Sequence, residues 1–208
     1  MLNSLRVMAI TLVCAGIGVV LAVRPLTVNA EATDLQSILI VTASPISDHE
    51  RKGVSLKGIR QTVSLRKTYQ SSKEIQSLWQ QFTQFKKLEN AVVWGKPIDL
   101  YAYYTDFNND FSKATLSIGY DIKQLNASEP VAALLEDAQG LNAFEIESGK
   151  YQQYAVTGTS SAAVSKAWLS LPLTEKTKAV LEHYQLDVQG QVSKVELEVK
   201  NVGGESKR

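Results

Sequence analysis

Along residues 54–201 the apolar positions change period several times, and each change marks an element. Val54 to Tyr69 alternates around Val63 and Leu65, which predicts a strand with Gly58 as a bulge or bend. Ser71 or Ser72 then suits a helix cap, and Ile75, Leu78, Trp79, Phe82 and Phe85 recur at i, i+3, i+4, i+7 and i+10. That single stripe needs a sheet to cover. "IDLYAYYTDF" from Ile98 and "ATLSIGYDI" from Ala114 supply two strands joined through "NND", with Leu116, Ile118, Tyr120 and Ile122 on one face. The order is strand, helix, strand, strand.

After a short helix over 128–138, a second unit repeats the first. "FEIESGKYQQYAVTG" reads as a strand from Phe144 with a turn at Ser148-Gly149. A helix follows with Val164, Ala167, Trp168 and Leu171 on one side, stopping before Pro172. "TEKTKAVLEHY" is expected to continue helically from a Thr174 cap, and in "KVELEVK" Val195, Leu197 and Val199 alternate with charges as in a strand with one wet face. The correspondence extends to residues. Ser-Ser-x-x-[Ile or Val]-x-x-[Leu or Ala]-Trp places Ser72 over Ser161 and Trp79 over Trp168, 89 residues apart. "SKATLSI" from Ser112 and "SKVELEV" from Ser193 match at an offset of 81, which Tyr103 and Tyr184 also keep. A duplicated unit with one shortened loop leaves such a pattern.

Ahead of both units, Val7 to Val23 is an uncharged apolar run flanked by Arg6 and Arg24, with Val28-Asn29-Ala30 suited to signal peptidase. Its 17 residues leave three readings open: a cleaved signal peptide, a retained membrane anchor, or a buried helix. The first two place the domain outside the cytoplasm, periplasmic or anchored in the inner membrane facing outward, with residues 1–30 the only membrane contact. Residues 31–53 read as a linker or extra strand, 54–125 and 141–201 as the two modules of one domain, and 202–208 as a tail.

The whole chain has 22 basic and 21 acidic side chains, and setting aside Arg6 and Arg24 leaves 20 bases against 21 acids. A near-neutral surface without a basic stripe disfavours nucleic acid as a partner. Cys14 is the only cysteine and lies in the apolar run, so the exported part has no thiol. His49 and His183 each lack a second ligand at metal spacing and read as surface residues; no metal and no cofactor is expected. Nucleophile-elbow, zinc-protease and phosphate-loop patterns are missing from the sequence.

"SLWQQF", "LYAYYTDFNND" with "IGYDI", and "FEIESGKYQQYAVTG" together resemble the GyrI-like, or effector-binding, domains of bacteria. They look most like the stand-alone, integron-associated branch, which tends to carry Leu-Trp-x-x-Phe and Tyr-x-x-Tyr-x-Asp at these places. The resemblance covers about Val54 to Asn201 and implies an α+β fold of two pseudo-symmetric modules forming an antiparallel sheet. Helices lie on one side, with an aromatic-lined central cleft. Relatives use that cleft for small organic molecules, often cationic and hydrophobic, and a glutamate in the last module usually faces the ligand. The expected Asp-Phe-Glu stands here as Asp187-Val188-Gln189, leaving open whether Asp187 or Gln189 replaces the glutamate.

The candidate ligand-binding residues are therefore Trp79, Tyr101, Tyr103, Tyr120, Tyr154, Trp168, Tyr184, Asp187 and Gln189. Each aromatic is equally at home as core, and on one strand Tyr101 and Tyr103 oppose Tyr104 and Ala102, so one pair meets the helices and the other the open side. The expectation is a small-molecule-binding module that takes a hydrophobic or aromatic ligand without catalysis. A hydrolase of strained electrophiles and a protein-interaction domain without ligand stand as alternatives.

Overall fold

The structure is a computed structural model, described here for residues 43–65, 73–126 and 140–202. The apolar run, the Ser71 or Ser72 cap, the helix over 128–138 and most of the tail lie outside these residues. In chain order the elements are β1 (Ser47–Arg51), β2 (Val54–Ser64), α1 (Lys73–Gln84), α2 (Lys86–Ala91), β3 (Ile98–Thr105), β4 (Lys113–Asp121), β5 (Asn142–Ile146), β6 (Gly149–Tyr154), α3 (Ser161–Ser170), β7 (Thr177–Leu186) and β8 (Val192–Asn201). A short 3-10 turn, Ile122–Gln124, follows β4.

All eight strands form one antiparallel sheet in the order β1-β6-β8-β7-β3-β4-β2-β5. The order reads symmetrically from the β7–β3 seam outwards: β7, β8, β6 on one side answer β3, β4, β2 on the other. The two strand-helix-strand-strand modules are thus joined along their central strands, and the fold is α+β.

The row of strands does not lie open. Arg51 faces Gly149 and Val54 faces Ile146, three residues on along one strand and three back along the other. One register therefore runs through both ladders, and β1–β2 pairs with β5–β6 as two long strands broken only at Lys52-Gly53 and Glu147-Ser148. Links of two residues span at most about 11 Å, so the sheet curls until its ends meet. The packing agrees. Tyr101, Tyr103 and Leu181 from the centre of the row form one buried cluster with Leu56, Phe144, Ile146 and Tyr151 from its ends.

A pair of glycines permits the tightest part of this curl. Gly58 lies opposite Gly119, and a Cβ on Gly58 would come 1.8 Å from the Ile118 carbonyl oxygen. The β2–β4 register runs unbroken through Gly58. The expected bulge is therefore a close approach of two backbones instead.

The outer face carries the larger core. Leu78, Trp79 and Phe82 of α1 cover Ile59, Val63, Leu116, Ile118 and Tyr120, while Val164 and Ala167 of α3 cover module two. Ser160 caps α3, its side chain accepting from the Ala163 amide at 3.2 Å.

One expectation is overturned. The stretch read as a helix from Thr174 turns at Thr174–Thr177 and then runs as β7, paired on both sides with β3 and β8. Lys, Ala, Leu and Glu favour helix locally, but pairing with β8 along the strand and with β3 over Val180–Leu186 overrides that weak preference. The repeat also fails at one point. Leu116 and Leu197, offset by 81, both face the helices, whereas Tyr103 faces into the curl and Tyr184 faces the helices. An odd offset cannot hold for β3 and β7, where side chains alternate. A register irregularity between Gln185 and Leu186 absorbs the difference.

Candidate functional site

Where the modules meet, β3 and β7 floor a seam between α1 and α3. On its helix-facing side Ala102 lies directly opposite Glu182, Leu100 opposite Tyr184 and Tyr104 opposite Val180. The small Ala102 leaves room beside the carboxylate. Glu182 is only 4% exposed. Trp168, reaching down from α3, donates Nε1–H to its Oε1 at 2.6 Å, and the Tyr184 hydroxyl donates to Oε2 at 2.6 Å. Tyr104 also hydrogen-bonds to it. Burial pushes the Glu182 carboxyl above the usual range, and the three donors offset that only in part. Among the described residues no basic side chain pairs with it.

Two aromatic pairs flank the carboxylate. Trp168 meets Tyr104 edge-on at 4.7 Å between ring centroids, and Trp79 meets Tyr184 edge-on at 5.7 Å. Trp79, Trp168 and Tyr184 are thus brought together, with Tyr104 and Glu182, around one point. Tyr120 shares that face but lies under α1 against Phe82, at 5.4 Å. Its hydroxyl has no hydrogen-bond partner among the described residues, and burial raises it. Tyr154 packs into the same core from β6.

The other predicted residues lie elsewhere. Tyr101 and Tyr103 are on the opposite face, inside the curl: Tyr101 stacks on His183 at 4.7 Å and Tyr103 hydrogen-bonds with Tyr151. Burial pushes the Tyr101 phenol up to about 12. Asp187 and Gln189 occupy the β7–β8 turn, where Asp187 Oδ1 accepts from the Gln189 and Gln191 amides, each at 2.9 Å. Asp187 and Gln189 thus lie off the seam, and the acid buried on its helix-facing side is Glu182, five residues before Asp187. Reading β7 as a helix hid it. The available signal was one acid inside "AVLEHYQL", a run too uniformly apolar for a strand with a wet face and suited to one covered on both sides.

Inside the curl a second polar cluster forms. Glu198 is 2% exposed and takes both Nε and Nη2 of Arg51, at 2.8 and 2.5 Å. Imidazole Nε2 of His49 stands 3.3 Å from its Oε2. His183 lies between two carboxylates, with Nε2 2.8 Å from Asp99 Oδ1 and Nδ1 2.9 Å from Glu196 Oε2. His183 is therefore no surface histidine; its side chain is 14% exposed. The His183 contact holds the Asp99 carboxyl below its ordinary value. Burial alone would raise Glu196, yet Lys194 and His183 together hold it low.

No protein-family model matches the sequence, and no curated protein is significantly similar to it. Solved structures are. An integron cassette protein from the mobile metagenome of Vibrio cholerae is similar over 76% of this chain and 95% of its own, at 19% identity and a TM-score of 0.52. SAV2435, solved bound to tetraphenylphosphonium, is similar over 74% of this chain and 90% of its own, at 15% identity and a TM-score of 0.45. A Staphylococcus aureus protein ascribed to bacterial transcription regulation is similar over 76% and 97%, at 15% identity and a TM-score of 0.48. Of the three, only the cassette protein is near enough to show a common fold. With its two modules joined along β3 and β7 and helices on one face, this chain has the fold of the GyrI-like effector-binding domains.

Proposed function

We propose that this chain is a small-molecule-binding module, and that its ligand is a hydrophobic organic cation held against Glu182 between the two modules. One observation carries the reading: a buried carboxylate on the seam has three neutral donors and, among the described residues, no cation. Burying an anion without a countercharge is costly, and the cost falls when a cation arrives. Trp168 Nε1–H holds that place in the free chain, so a ligand enters by turning the indole aside. Freed from Glu182, its ring joins Trp79, Tyr104 and Tyr184 as aromatic surface for a delocalised cation.

The hydrolase alternative turns on the same group. Asp187 is spent on the amides of its own turn, so Glu182 is the acid that such chemistry would have to use. A general base must reach the water it activates, whereas Glu182 is sealed by its donors. Binding without turnover is the better-supported role. The apolar run at 7–23 favours presenting this module outside the cytoplasm; no helix among the described residues is long and apolar enough to cross a membrane.

The test compares tetraphenylphosphonium with neutral triphenylphosphine oxide, titrated calorimetrically into the full chain. The proposal expects the cation to bind at least about tenfold more tightly, a difference of about 1.4 kcal/mol. Glu182→Gln should erase the preference. Equal affinity for both probes, or silence with both, would count against it.

A further inference from the structure

On the opposite face of the sheet from Glu182, we propose that His183, Glu196 and Glu198, joined by His49, form a site for one divalent metal ion of the zinc class. One ligand atom from each of the first three residues lies within 4.8 Å of the others. His183 Nδ1 is 2.9 Å from Glu196 Oε2, and His49 Nε2 is 3.3 Å from Glu198 Oε2. Bonds of about 2.0–2.1 Å in a tetrahedral zinc site put neighbouring ligand atoms about 3.4 Å apart. His183, Glu196 and Glu198 need only small side-chain movements to reach that spacing, and His49 adjoins Glu198.

A second observation points the same way. A metal-binding histidine ordinarily gives its other ring nitrogen to a carboxylate, which fixes the tautomer and aims the free lone pair. Here Asp99 Oδ1 meets His183 Nε2 at 2.8 Å. Asp99 is itself fixed, since Gln124 donates Nε2–H to its Oδ2 and accepts its backbone amide, both at 2.8 Å. Nδ1 is thereby aimed at Glu196, its direct partner across the β7–β8 ladder. Tyr101 stacks beneath the imidazole and fixes its plane.

Arg51 does not fill the site. A carboxylate has about four lone-pair positions, and the Arg51 fork uses two of them on Glu198. The others remain for a metal, which would stand between His183 Nδ1 and Glu196. This mixed nitrogen and oxygen set suits zinc better than calcium or magnesium. Glu198 at 2% exposure and His49 at 35% mark a closed inner end and an open outer end.

The test uses the full chain, stripped with chelator and titrated with Co²⁺ alone, followed by visible absorption and then by Zn²⁺ competition. One equivalent should give the intense bands of a four-coordinate ion, and Zn²⁺ should remove them. His183→Gln and Glu196→Gln should abolish the bands. Asp99→Asn, which only orients His183, should weaken binding about ten- to a hundredfold. His49→Gln, at an edge strand where the fold tolerates it, should weaken binding and keeps the test decisive if the buried variants unfold. Absence of the bands in the parent chain, or bands unchanged in both Asp99→Asn and His49→Gln, an adventitious ion only, overturns the site.

Discussion

The indole Nε1 of Trp168 stands 2.6 Å from Oε1 of Glu182, so the aromatic residue that module two contributes to the seam is also the donor that stops up the acid buried there. The free chain is closed by its own side chain. Ligand binding and the electrostatics of Glu182 are consequently one problem, and several outcomes follow from it.

Stability should depend on pH through Glu182. Its folded-state value is raised above the ordinary 4.5, so between those two values the folded chain holds a proton that the unfolded chain has lost. Stability contributed by this group is present below 4.5 and falls as pH rises through the raised value. While the difference of one proton lasts, the slope is at most about 1.4 kcal/mol per pH unit. Urea denaturation of the parent and of Glu182→Gln across this range should show a downward component in the parent that the variant lacks.

Trp168→Phe keeps an aromatic ring but leaves Glu182 without one donor. Loss of a bond to a buried charged acceptor costs about 1–3 kcal/mol, read as a lower denaturation midpoint. Trp79→Phe, whose ring makes edge-on contacts with Phe82 and Tyr184 but is not a donor to Glu182, should cost less.

Arg51 ties β1 to β8 inside the curl. Arg51→Met would strand Glu198 as a buried, uncompensated acid and should cost about 3–5 kcal/mol. The exposed Arg60–Asp106 pair, at 3.2 Å, is the control: Arg60→Met should cost less than about 1 kcal/mol. Equal effects would mean that the buried Arg51–Glu198 pair contributes no more than an exposed one.

Gly58→Ala should destabilise by about 1–3 kcal/mol or more, since its Cβ would strike backbone rather than a side chain that can turn away. At Gly53 the nearest atom to such a Cβ is 3.5 Å away, so Gly53→Ala should stay within about 0.5 kcal/mol of the parent. Thermal melts of the two variants make the comparison.

Much of the fold was legible because periodicity survives duplication: the Trp79 and Trp168 helices, the β4–β8 match and the module order all stand in the sequence. What failed was local. β7 is covered on both faces, so its apolar run carries no alternation to separate it from a helix, and Glu182 was lost with it. The Tyr103–Tyr184 offset looked like repeat but crosses a register irregularity that no residue type announces. Among the candidate residues, Trp79, Trp168 and Tyr184 meet at Glu182, while Tyr101 and Tyr103 fall behind the sheet because alternation alone does not say which face the helices cover. The cluster of His49, His183, Glu196 and Glu198 was invisible for another reason. Its members come from β1, β7 and β8, and it is strand pairing, with β6 between β1 and β8, that sets them together inside the curl.

The structure of the full chain crystallised with tetraphenylphosphonium would test the central claim most directly, through the Trp168 Nε1–Glu182 Oε1 distance. The account predicts that this contact opens from 2.6 Å to beyond hydrogen-bond reach, with the phosphonium centre beside the Glu182 carboxylate and the indole on a phenyl ring. An indole still bonded to Glu182 with the cation seated elsewhere would contradict it.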